Sequence, residues 1–260
     1  MKPRAIWLIG KSVLIESIRR REIYAIVLIA CIIIGTVMTL DFFGLEGLTK
    51  FYRETALTIM SITTALTVIV LSARQLPREF TNRTIYPLLA KPVSRLTFLF
   101  GKLLGVMLAA AFCLALFMLV YVLGSAWLHG AIPWPIFAQY IYLQLLTMLI
   151  LATLAFWLSM VLNLDAAITI AVIFYLTAST YTSITTYIYN LVPPAQKIVL
   201  QILNYALPQL TLLDLSEKTV HDEVWRPLSF PVMTALTTYA LVFATAYFTF
   251  AMISFRRRPL

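Results

Sequence analysis

Few residues in the sequence combine the types and spacing that chemistry requires. His221-Asp222-Glu223 sets an imidazole beside two carboxylates, the groups that hold divalent metals, but consecutive residues cannot converge well on one ion. The other histidine, His129, stands alone in the sequence. Gly101-Lys102 ends like a phosphate-binding loop, yet Leu103 follows it and the first glycine is missing. Neither His-Glu-x-x-His nor Gly-x-Ser-x-Gly occurs. No catalytic residue, metal ligand or cofactor contact is therefore expected within the chain. Cys31 and Cys113 read as small buried hydrophobes.

Hydroxyls are the remaining polar resource inside the apolar runs. Thr58, Ser61, Thr63, Thr64 and Thr67 fall in one run, and a second holds hydroxyls from Thr177 to Thr186. Helix packing through small residues and interhelical hydrogen bonds accounts for such patterns. The alternative is a mildly polar lining for a translocation path, for which Thr63, Thr64, Thr67, Thr180 and Ser183 are the candidates.

Composition decides what positions these groups. Of 260 residues, 61% are hydrophobic and 12% charged, and the mean hydropathy of +0.90 lies outside the globular range. The chain reads as an all-α integral membrane protein. A helix needs about 20 apolar residues to cross a ~30 Å hydrocarbon core. Uncharged runs of roughly that length occur at 23–40, 55–73, 103–128, 136–162, 166–190 and 231–255, so six transmembrane helices are expected. The first run has no small-x-small cleavage pattern and reads as a retained helix. Residues 1–22 mix apolar and basic positions and suit a helix lying in the headgroup region, with Trp7 as anchor. The connection 191–230 opens with Pro193-Pro194 and carries Ile198, Val199, Ile202, Leu203 and Ala206 at helical spacing, as a short outer-leaflet helix would; an acidic surface loop follows.

Charge sets the orientation. Fifteen of the 20 Lys and Arg residues fall in the N-terminal segment, the second loop and the tail 256–260; with four acids that side nets +11, whereas the other side, with five bases and seven acids, nets −2. Excess positive charge is retained inside, so both termini are expected in the cytoplasm and the chain in the inner membrane. Bases at helix ends answer to anionic lipid headgroups. No aromatic-basic platform for nucleic acid is present. The spans carry almost no ionisable groups, which argues against an ion-coupled carrier and against an intramembrane enzyme. An ion-coupled carrier, or a membrane protein with no transport role, remains the alternative reading.

The stretch 76–105 interrupts this apolar pattern with Arg78, Arg83, Lys91, Arg95, Lys102 and three prolines. Pro77 is expected to end the second span. A short helix follows, with Phe80, Thr84 and Leu88 on one face and Ile85 and Leu89 beside them. Pro92 breaks the chain, and Ser94 is placed to cap the next helix. Phe80, Ile85, Leu88 and Leu89 form an apolar surface that a plain basic loop within 75–98 does not explain.

These residues carry a resemblance. Arg78-Glu79, Thr84-Ile85, Leu88-Leu89-Ala90-Lys91-Pro92-Val93-Ser94-Arg95 and Gly101-Lys102 resemble the signature after the second span of ABC-2 type transporter permeases, and Glu16-x-x-Arg19-Arg20 fits the same pattern. The wording is similar to that of permeases serving multicopper-enzyme and nitrous-oxide-reductase maturation, although the nine methionines are scattered rather than arranged for copper. The resemblance implies a type V exporter-like fold, with an interfacial connecting helix at 5–21, a cytoplasmic coupling helix and outer-leaflet helices at 193–208. It implies a separate ATP-binding-cassette ATPase that binds the ATP and Mg. Its contact would comprise Arg78, Glu79, Phe80, Arg83, Thr84, Ile85, Leu88 and Leu89. A second permease copy, as a homodimer, completes the unit, and the outer loop leaves room for a periplasmic accessory protein.

Overall fold

In the computed structural model the described residues are 3–19, 21–37, 39, 44–81, 94–188, 191, 193, 196–198, 201, 202, 205 and 207–257. Among them the elements are helical: α1 (Pro3–Arg19), α2 (Arg21–Val37), α3 (Gly44–Thr81), α4 (Arg95–Trp127), α5 (Trp134–Val161), α6 (Leu164–Ile188), a 3-10 turn (Leu210–Leu213), α7 (Ser216–Val220) and α8 (Phe230–Arg257). Long stretches of α3, α4, α5 and α8 are apolar enough to cross a membrane, and 27–36 and 164–178 are shorter apolar stretches.

Helix α5 is the centre. Its residues Phe137, Tyr140, Leu143, Met148, Leu151 and Phe156 are buried, and it packs against α3, α4, α6, α8, the 3-10 turn and α7. Pro135 in its first turn costs no intrahelical bond, because the N–H groups there have no partner in any helix. Ser94 caps α4 as expected: its Oγ accepts from the Thr97 N–H at 3.2 Å. The short connection from α4 to α5 makes them antiparallel neighbours, and His129 takes a positive φ of 50° in that turn.

One feature departs from the sequence-based expectation. Helix α3 does not stop at Pro77 but continues to Thr81. A proline inside a helix loses one backbone bond and crowds the carbonyl four residues back, a cost of about 3 kcal/mol. The turn persists because Gln75 and Leu76 are buried on one side and Phe80 packs against Phe255 on the other. Helix α1, in turn, is clamped to the bundle. It lies along α4, and a Cβ on Gly105 would sit 2.5 Å from Val13 Cβ and 2.8 Å from the Gly10 carbonyl oxygen. Gly101 and Gly105, one helical turn apart, thus let the two backbones touch, as small residues do between membrane helices. Trp7, Leu8 and Ile15 remain exposed on the far face of α1.

Candidate functional site

Polar side chains gather at both ends of the bundle and in one cleft between its helices. At the basic end, where α3 finishes and α4 begins, Lys102 is only 6% exposed, yet it carries an ammonium group. Its Nζ lies 2.5 Å from Glu79 Oε1 and 3.2 Å from Gln75 Oε1, and 5.6 Å above the Phe98 ring. A buried ammonium requires such partners, since desolvation otherwise costs several kcal/mol. The sequence places Lys102 at the headgroups; the structure turns it inward, because α3 extends far enough to present Gln75 and Glu79.

The neighbouring groups stitch further helices to the same place. Arg78 pairs with Glu16 and so joins α3 to α1. Arg95 donates to the Phe255 and Arg256 carbonyls at 3.2 and 3.1 Å, which supplies positive charge where the α8 dipole ends negative. Its guanidinium also lies 5.7 Å from the Phe255 ring centre. Phe255, 1% exposed, meets Phe80 at 5.8 Å and Phe98 at 6.1 Å. Phe80 is consequently half-buried against the bundle rather than standing clear in water. Arg78, Glu79 and Phe80 are therefore brought together at the base of 82–93. Arg83, Thr84, Ile85, Leu88 and Leu89 lie outside the described residues.

At the opposite, acidic end, α7 and the turn after it pack on α3. Arg53, with 8% side-chain exposure, meets Asp222 at 3.4 Å and donates to the Ala131 carbonyl; Lys50 pairs with Glu223 at 3.2 Å on the surface. Two of the three residues that stand out in the sequence as metal-ligand types thus act as anchors for α3. Leu215, Thr219 and Val220 are buried beneath them.

Between the ends, α3, α5, α6 and the 3-10 turn border an open cleft of about 200 Å³, lined by Thr58, Ser61, Gln144, Tyr175, Asp214 and Ser216, among others. Gln144 Nε2 donates to Ser61 Oγ at 2.9 Å, and Ser61 Oγ is 2.9 Å from the Tyr175 hydroxyl. The expected path residues lie elsewhere. Thr63, Thr64 and Thr67 are buried at other positions along α3; Thr67 donates to the Thr63 carbonyl at 2.8 Å, and Thr64 Oγ1 has no partner among the described residues. Thr180 and Ser183 fall on α6, but their side chains lie outside those described. Gln144 and Asp214 are cleft residues that sequence reasoning does not select. The signal for Gln144 is a lone amide in an otherwise apolar run; Asp214 gives none, because its sequence neighbours read as surface.

Long apolar helices packed on a buried central one, with charge confined to the two ends, define a multi-pass helical membrane protein. Residues 38–244 match the family described as ABC-2 family transporter protein, and the chain belongs to that family. Members of this family are membrane components of transporters and generally work with an ATP-binding-cassette ATPase. No curated protein matches the chain.

Proposed function

We propose that the chain is the membrane-spanning subunit of an exporter driven by a separate ATPase, with α2, α3, α4, α5, α6 and α8 crossing the inner membrane and the basic end in the cytoplasm. The ATPase docks on 76–95 and binds the ATP and Mg, and a second copy of the chain completes the unit. One observation carries the reading: the residues flanking 82–93 are bonded into other helices, through Glu79–Lys102, Phe80–Phe255 and Arg95 on the end of α8. A push on the segment between them is passed to α4 and α8 rather than dissipated in a loop. The basic excess at this end supports the orientation.

The test is purification in nanodiscs with its ATPase, followed by the mass of the particle. Two permeases with two ATPases, and substrate-dependent ATP hydrolysis that Ile85→Asp abolishes, are expected. A lone permease with no ATPase retained, or normal coupling in Ile85→Asp, overturns the reading.

A further inference from the structure

The connection from α7 to α8 carries acids first and then apolar side chains that stand out from the bundle. Val224 is 77% exposed, Trp225 46% and Phe230 80%. Arg53 bonds both to Asp222 of this connection and to the Ala131 carbonyl in the turn between α4 and α5, a turn flanked by the exposed Trp127 and Trp134. The two segments therefore share one end of the bundle. Water is a poor neighbour for so much apolar surface, whereas the boundary of a bilayer is where aromatic side chains gather.

Two measures set the depth. Gln139 lies five residues into α5 from Trp134, about 7.5 Å at 1.5 Å per residue. Its side-chain amide holds the Leu228 backbone twice: the Leu228 N–H donates to Oε1 at 2.8 Å, and Nε2 donates to the Leu228 carbonyl at 2.9 Å. The segment is thus drawn below the level of Trp134. Helix α8 has 28 residues, about 42 Å, and a bilayer with its headgroups is about 40–45 Å thick, so with Arg256 and Arg257 at one set of headgroups Phe230 reaches the other.

The backbone suits a place with little water, where every polar group needs a partner. Val224 and Trp225 donate to the His221 carbonyl at 3.1 and 3.2 Å, Pro227 brings no N–H, and Leu228 has both groups met by Gln139. Lys218 Nζ lies 4.9 Å from the Trp225 ring centre, and Arg226 follows in sequence. Long basic side chains beside apolar ones fit phosphates above and hydrocarbon below.

We propose that residues 224–230 lie in the headgroup layer at the acidic end, with Val224, Trp225 and Phe230 entering the lipid and Gln139 holding the segment at that depth. The partner is the lipid surface itself, continuous with the exposed apolar sides of α5 and α8. Binding to it requires neither an ATPase nor a second copy of the chain.

The experiment attaches a nitroxide at Val224→Cys or Phe230→Cys in the purified chain, in nanodiscs, on a Cys31→Ala background that keeps the buried Cys113. Collision with oxygen, which concentrates in lipid, is compared with collision with a nickel chelate, which stays in water. Glu217→Cys on α7 is the water reference, and Val242→Cys, exposed on α8, is the lipid reference. The oxygen-to-nickel ratio at 224 and 230 is expected to be severalfold above that at 217. Gln139→Leu, which removes both bonds to Leu228, is expected to lower it towards the water reference. A ratio equal to that at 217 would place the segment in water, and exclusion of both reagents would mean that protein covers it. Either result, or a ratio that Gln139→Leu leaves unchanged, overturns the proposal.

Discussion

Lys102 Nζ and Glu79 Oε1, twenty-three residues apart in sequence, meet at 2.5 Å between the end of α3 and the beginning of α4, with 7% and 22% of their side chains exposed. The contact fixes the start of α4 against the end of α3.

Breaking this pair from one side strands a charge. Lys102→Met or Glu79→Gln alone is expected to cost about 3 kcal/mol, the range for removing one partner of a buried ion pair, discounted towards the lower end because Glu79 is partly exposed. The double variant, which leaves no orphan charge, is expected to recover most of the loss. Thermal unfolding in detergent checks this; additive losses would show that the two groups act separately.

Gly105→Ile forces a side chain into Val13 and the Gly10 carbonyl. Overpacking of this kind costs about 1–3 kcal/mol or more, and here α1 is expected to leave α4. Trypsin cleavage at Lys11 should then accelerate. A methyl group added at Gly35 would meet nothing within 4 Å, so Gly35→Ala is expected to be neutral or to stabilise α2 by up to about 1 kcal/mol.

Pro77→Ala restores a backbone N–H inside α3. A gain of up to about 3 kcal/mol is expected, read as a higher unfolding midpoint. An unchanged or lower midpoint would mean that the proline's shape is itself required by the packing around Leu76.

Arg53→Met leaves Asp222 without its cation and the Ala131 carbonyl without its donor. A loss of about 1–3 kcal/mol is expected, with the 214–226 segment becoming the first site of proteolysis. If α7 stays protected, buried Leu215 and Val220 hold it alone.

The long apolar helices are readable in the sequence because hydrocarbon demands uninterrupted apolar length, and Ser94 is readable because a cap is a local bond. What stays hidden depends on partners distant in the chain. Pro77 looks like a stop until Phe255 arrives to hold the following turn. Lys102 looks like a headgroup marker until Glu79 is seen one helix away. Glycine at 101 and 105 is visible in sequence, but which helix it admits is not. The proposed docking role of Ile85, Leu88 and Leu89 rests on pattern and resemblance, and they lie outside the described residues.

Phe255 has a consequence for biosynthesis. The ring that steadies Phe80 and Phe98 comes from the last helix described, and the carbonyls that Arg95 binds come from the same turn. A ribosome delivers Arg95 some 160 residues before Phe255. Phe80, Phe98 and Arg95 therefore wait for these partners through most of translation and gain them only once α8 has been inserted. Packing at that junction is thereby timed to a finished membrane domain, and nascent chains stalled before α8 lack the ring and the carbonyls that hold it.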